Sequence, residues 1–234
     1  MRRLSGCLFC CLLLGAAQAP KPRSVDEVLQ AYIQAVGGMP AIDKINTREV
    51  RGRGLTYYWQ RPNKVLQIHK KEKTGYDGSS GWTSSRKKKV KHLARGAELP
   101  LEMDANPLRY VRLKDLYSEV NPAPRETLDS KPMDVLVAPN NLGATKLYFD
   151  AASHLLSNVE ETGETSAYFT TSTEFTDYRP VDGVQFPFRI KHSTTEPGGE
   201  SEDFRVTKVI DNVDLKPQVF SKPLGGTVIF GGKR

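Results

Sequence analysis

Apolar side chains recur with two different periods along this chain. In SVDEVLQAYIQAVGG, residues 24–38, they fall at Val25, Val28, Leu29, Tyr32, Ile33 and Val36, a single helical stripe. Ser24 stands where an N-cap is needed and Glu27 follows three positions later, the spacing of a capping box. Gly37 and Gly38 end the helix, and Pro40 in MPAIDKI opens a second, short one. The opposite side is not rich in Lys or Arg, so the stripe reads as a face that docks on a core, not on a membrane.

From Arg48 the period falls to two. In GLTYYWQ, Leu55, Tyr57 and Trp59 alternate with Thr56, Tyr58 and Gln60, which predicts a strand with two distinct faces. Pro62-Asn63 makes a turn, KVLQIHKKE resumes the extended run, TGYDGSSGW supplies a tight hairpin at Asp77-Gly78, and Trp82 opens another strand. Alternation stops between Ala97 and Tyr117. There Leu108, Val111, Leu113 and Leu116 follow a helical rhythm, predicting an inserted helical lid over 107–117. NPAPRE and DSKP read as turn material, because proline suits no central strand. Strands return at MDVLVA, ATKLYFD, LLSNVEET, SAYFTTSTEFTDY, GVQFPFRIKHS and EDFRVTKVIDNV, for about nine or ten in all. TKLYFDAASHLLSNVEE reads as a hairpin around Asp150 to Ser153, and Asp182-Gly183 as the turn of another. Short late connections favour an antiparallel meander. A strongly curved sheet of this kind must cover its concave face, and the N-terminal helix and the insertion are the covers available.

Length changes this picture little: 234 residues suit one medium domain. The leader changes it more. Arg2 and Arg3 precede the apolar run CLFCCLLLGAA, and AQA ends at Ala19, the three-part pattern of a secretion signal. The expected organisation is a signal peptide over 1–19 and a single domain over 20–234, in the periplasm of a Gram-negative bacterium or another exported compartment. Cys7, Cys10 and Cys11 all lie in that leader, so neither disulfides nor cysteine chemistry belong to the mature domain. The formal charge of +7 becomes about +5 once the leader is removed, a weak preference for anionic surfaces.

Residue patterns for catalysis are sparse. His69, His92, His154 and His192 are isolated in sequence, without the paired spacing of a metal site. GSSGW lacks the spacing of a nucleophile elbow. Asp150, Glu174, Asp177 and Asp182 could meet across strands as a carboxylate pair, although two sit in turn-like positions. GGTVIFGG has neither phosphate-loop nor dinucleotide spacing. RKKKVKH, residues 86–92, reads first as a solvated edge strand that resists aggregation, second as a contact for anionic headgroups, and least as a nucleic-acid contact. What remains is apolar: Phe169, Phe175, Val184, Phe186, Phe188 and Ile190 on one side of the last long hairpin. That pattern serves a packed core and a ligand-lined pocket equally.

VDEVLQAYIQAVGG, RPNKV, GYDGSSGW, TKLYFDAASHLL and FTDYRPVDGVQFPFRI, in this order, resemble exported bacterial proteins of the LolA/LolB-like lipoprotein-carrier superfamily, over residues 24 to about 223. The resemblance implies a mainly β (α+β) fold, with a strongly curved antiparallel sheet forming an incomplete β-barrel covered by the N-terminal helix and the inserted lid. It also implies an apolar cavity for acyl chains, with Leu55, Tyr57, Trp59, Val65, Leu147, Phe149, Phe169, Phe186 and Phe188 as candidates for the cavity or its supporting core. Arg51, Arg53 and Arg61 are alternatives for the arginine that tethers the lid. The implied protein is a non-enzymatic carrier without cofactor, monomeric, whose partner is a lipid or acylated lipoprotein. A packed envelope scaffold and a carboxylate-dependent hydrolase stand as the competing readings.

Overall fold

The computed structural model describes residues 21–85, 90–105, 109–140, 143–163 and 169–223. The signal segment, the basic residues 86–89 and the terminal GGTVIFGG lie outside them. No helix among the described residues is long and apolar enough to cross a membrane.

Helix α1 covers Val25–Ala35 with the capping box formed: Glu27 N–H donates to Ser24 Oγ at 3.3 Å and Ser24 N–H to Glu27 Oε2 at 2.7 Å. Val28, Leu29 and Tyr32 are its buried face. Helix α2 is one turn, Met39–Ile42, with Pro40 in its first turn. The bend between them requires Gly37. Its φ is +121°, and a Cβ there would stand 2.2 Å from the Gly183 carbonyl oxygen, so the helix end can lie against a strand turn only without a side chain.

Thirteen strands follow: β1 Thr47–Gly52, β2 Leu55–Gln60, β3 Lys64–His69, β4 Glu72–Tyr76, β5 Gly81–Ser84, β6 Val90–His92, β7 Asn121–Leu128, β8 Lys131–Asn140, β9 Gly143–Asp150, β10 Leu156–Gly163, β11 Phe169–Val181, β12 Val184–Thr194 and β13 Glu202–Asp211. They form one sheet in the order β6-β5-β4-β3-β2-β1-β13-β12-β11-β10-β9-β8-β7, each neighbouring pair antiparallel. The chain enters at the centre, meanders out to one edge, crosses to the opposite edge, and meanders back to the centre. There β13 pairs with β12 through Glu202–Arg205 and with β1 through Val206–Asp211.

This arrangement overturns the expected incomplete barrel. The sheet is open, with β6 and β7 at opposite edges, and it is not strongly curled. Strand alternation states that a face is buried; it carries no information on curvature, and a sheet this wide is covered by other elements instead of by itself. The count of strands rises because KVLQIHKKE turns at Lys70 into β4, and because NPAPRE is a strand, not a turn. Proline is admitted in β7 because an edge strand can leave the missing N–H on its solvent side.

The helical insertion is displaced from its expected place. Helix α3 covers Arg95–Asp104 and α4 only Leu113–Leu116. Leu101 and Ala105 bury against Val65 and Tyr76, and this packing carries Pro100 within the helix. Both helices belong to the connection that must span the sheet from β6 to β7. Topology thus explains the cover: every other link in the meander is short, and this one crosses a whole face.

Beneath α1, Leu136, Leu147, Phe149 and Val159 form the largest core cluster together with Leu113 of the connection. On the other face Leu66 and Trp82 pack against Phe220 of the terminal segment, and Trp82 Nε1 donates to the Phe220 carbonyl at 2.8 Å.

Candidate functional site

Where the inner ends of the two meanders meet beneath the helices, the packing opens into a cavity of about 470 Å³. That is within the roughly 300–1,000 Å³ of small-molecule sites. Its apolar lining comes from the C-cap of α1 and from α2 (Val36, Ile42), from β1–β3 (Val50, Tyr57, Trp59, Val65), from β11 and β12 (Phe175, Val184, Phe186, Ile190) and from Phe204 of β13. Gly52 makes room for the last: a Cβ there would lie 2.2 Å from the Phe204 ring, which crosses the β1 backbone to meet Tyr57 edge-on at 5.7 Å.

The connection supplies the cover. Arg109, Tyr110 and Val111 border the cavity. It is held by Trp59 Nε1 donating to the Ala105 carbonyl at 2.7 Å, by Gly81 N–H donating to Glu98 at 2.7 Å, and by Gln67 donating to Asp104 at 3.2 Å. Lys114 reaches Asp26 of α1 at 2.5 Å, and Tyr110 meets Phe175 edge-on at 5.8 Å.

Polar groups interrupt the apolar lining. Arg48 is bidentate to the fully buried Asp211, at 2.5 and 2.9 Å, and lies over the Phe186 ring at 4.9 Å. Arg61 donates to the carbonyls of Ile45 at 2.6 Å and Ile42 at 2.8 Å, satisfying the end of α2. Of the three arginines considered as the lid tether, it therefore holds α2, while Arg53 is exposed and Arg51 pairs with Glu49. Burial pushes up the phenols of Tyr32, Tyr57, Tyr110 and Tyr178, so all four are neutral hydrogen-bond donors around neutral pH.

The predicted site residues separate into groups. Tyr57, Trp59, Val65 and Phe186 border the cavity, whereas Leu147 and Phe149 are fully buried beneath α1. Leu55, Phe169 and Phe188 are half-buried and outside the lining, with Phe188 stacked under Arg179 at 4.6 Å. Strict alternation fails on β11: Thr173 and Phe175 border the cavity, and then Tyr178 does. Asp177 between them has a φ of 55°, a left-handed residue that changes which side the following side chain takes. Sequence reasoning also missed Tyr32, Arg48, Arg109 and Tyr110. Tyr32 was legible only as part of the docking stripe, and the Arg48–Asp211 pair joins residues 163 apart.

The four carboxylates weighed as a catalytic pair are placed apart from the cavity lining. Asp150 accepts from Ala152 and Ser153 N–H in its turn, Asp177 is bidentate to Arg179, Asp182 sits in the β11–β12 turn, and Glu174 faces Lys191 across the ladder. Among the described residues no group of three or more His, Cys, Asp or Glu is arranged to hold a metal ion.

Fold and site together define a mainly β protein with a helix-covered cavity. No family model and no curated protein matches the chain. Solved structures do. A LolA superfamily protein from Nitrosomonas europaea aligns with a TM-score of 0.57 at 11% identity, over 86% of this chain and 98% of that one. A domain described as an outer membrane lipoprotein-sorting protein, from Vibrio parahaemolyticus, gives 0.54 at 14%, over 83% and 95%. A DUF1329 family protein from Desulfovibrio piger gives 0.59 at 10%, over 84% and 97%. At these identities the likeness is one of fold.

Proposed function

We propose that this protein is an exported, periplasmic carrier that encloses the hydrocarbon of a lipid, or of an acylated lipoprotein, without covalent chemistry. The observation that carries the reading is the 470 Å³ cavity bounded by aromatic and branched side chains. Burying each methylene there contributes about 0.8 kcal/mol, so a short length of chain supplies useful affinity. Two of the proteins sharing this fold are a LolA superfamily protein and a domain described as lipoprotein-sorting, which supports the choice of cargo class. The connection over residues 93–120 acts as the lid in this reading, opening for entry and release. Tyr57, Trp59, Val65 and Phe186 touch the chain, and Leu147 and Phe149 support them from the core. The leader over 1–19 directs the domain, 20–234, out of the cytoplasm.

Native mass spectrometry of the mature protein gently purified from the cell envelope, with organic extraction of what it carries, tests this. Bound lipid or acylated protein is the expected result. A clean unliganded mass that stays unchanged on adding lipid would sink the carrier reading in favour of a packed scaffold.

A further inference from the structure

The cavity has two unlike ends. Exposure rises in the same direction along the strands that border it: from buried Trp59 to half-buried Tyr57 on β2, from buried Val184 to half-buried His192 on β12, and from half-buried Phe204 to exposed Glu202 on β13. The strand registers set Tyr57, His192 and Glu202 toward one end of the sheet, and Trp59 and Val184 toward the other. At the second end Val36, Ile42 and Ile45, each at most 6% exposed, close the space. The site is a blind apolar pocket whose mouth lies beside Glu202.

That mouth is polar and is built across strands. Thr173, His192 and Glu202 are directly opposite one another on β11, β12 and β13, and all three border the cavity. Thr173 Oγ1 and His192 Nδ1 are in hydrogen-bonding contact at 3.3 Å. On the side of the connection, Gln67, the ladder partner of Tyr57, donates to Asp104 at 3.2 Å and so sets the Asp104–Arg109 ion pair at the level of Tyr57. Four of the five Arg, Asp and Glu side chains of the lining are compensated: Arg48 by Asp211, Arg61 by backbone carbonyls and Asp43, Asp104 and Arg109 by each other. Glu202 is the fifth, and among the described residues it makes neither a hydrogen bond nor an ion pair. Arg189 and Arg205 do not neutralise it, because they pair with Asp203, which strand alternation places on the opposite face. A carboxylate at the rim of an apolar pocket has low-dielectric wall on one side, which concentrates its field toward whatever occupies the mouth.

Resting on the carrier reading, we propose that the cargo is an amphiphile with an ammonium-bearing head: its tail runs toward the closed end at α2, and its N–H groups donate to the Glu202 carboxylate and the Thr173 hydroxyl at the mouth. Glu202 is then the specificity-determining residue, and the apolar lining supplies affinity. An anionic head in the same place faces an uncompensated carboxylate.

Calorimetry with the mature protein tests the head using probes of equal tail length: decylammonium, decanol and decanoate. Decylammonium is expected to bind about tenfold more tightly than decanoate, with decanol between them. Glu202→Gln, a substitution at an exposed position, is expected to weaken decylammonium about fivefold and to bring the cationic and neutral probes together. Fluorescence tests the orientation. Trp59 borders the cavity near its closed end, and Trp82 packs on the other face of the sheet. Decylammonium brominated at the end of its tail is expected to quench Trp59, and the same probe brominated next to its head is not. Equal or tighter binding of decanoate, or indifference of decylammonium to Glu202→Gln, would overturn the head assignment and leave the carrier reading intact. Quenching by the head-proximal bromine alone would overturn the orientation. Failure of every probe to bind would overturn the carrier reading with it.

Discussion

Beneath α1, Leu136, Leu147 and Phe149 are each at most 1% exposed, and Tyr32 meets the Phe149 ring edge-on at 5.2 Å. Beneath the crossing connection, Tyr57, Phe175, Phe186 and Ile190 belong to the same residue classes, stand on the same kind of antiparallel strand, and surround open space. The strands do not differ; the covers do. Helix α1 offers an unbroken apolar stripe whose side chains reach into the sheet. The connection offers Arg109, Tyr110 and Val111 over the cavity and is anchored on either side of it, by Leu101 and Ala105 against Val65 and Tyr76, by Leu113 in the core cluster, and by the Trp59–Ala105 and Gln67–Asp104 hydrogen bonds. A cover anchored at its two ends does not need to fill what lies between the anchors.

That contrast breaks most sharply under truncation. Phe149→Ala should cost about 3–5 kcal/mol in urea unfolding, as expected for a large ring deleted from a closed core, and should affect ligand affinity only through loss of folded protein. Phe186→Ala, at a half-buried cavity residue, should cost only about 1 kcal/mol but weaken displacement of a fluorescent fatty acid about tenfold. Equal losses of stability would show that the two regions are packed alike. A smaller effect comes from the turns that bound the packed region. Hydrogen bonds from Ser153 and Ala152 N–H hold the Asp150 carboxyl below its ordinary value. The folded value lies below the unfolded one, so this contribution is present above about pH 4 and is lost as pH falls through the folded value. The wild-type urea midpoint should therefore decline in acid, and Asp150→Asn should flatten part of that decline. A variant with the full wild-type slope would remove Asp150 from the account.

Much of this architecture is legible locally. Ser24 and Glu27 announce α1 because a capping box is a three-residue matter, and Leu55-Thr56-Tyr57-Tyr58-Trp59 announces β2 because side-chain alternation is inherent in a strand. What sequence reasoning missed depends on distant partners. Pro122 and Pro124 argue against a strand unless one knows that β7 is an edge, and α3 is stabilised by Val65 and Tyr76, residues far from it in the chain. The open sheet could not be read because curvature is decided by whether β6 and β7 meet, which alternation does not encode. The cavity's polar part was hidden for a similar reason. Tyr32 is indistinguishable from its core neighbours in the helical stripe, and Arg109 reaches the cavity only because the long connection crosses over it.

The pairing of β1 with β13 has a further consequence, in time instead of space. Each meander consists of neighbours in sequence and can form from short-range encounters, whereas the seam between them joins segments some 160 residues apart, with Asn46 N–H donating to Asn212. Closing so long a loop is entropically the slowest of the pairings. In pulsed hydrogen exchange during refolding, the β1–β13 amides should gain protection after those of β8–β10; simultaneous protection would contradict this order. Since the cavity lies at the seam, this order makes the cavity the last part of the molecule to form, and under the proposed carrier function a chain that has not finished folding has nowhere to hold a cargo.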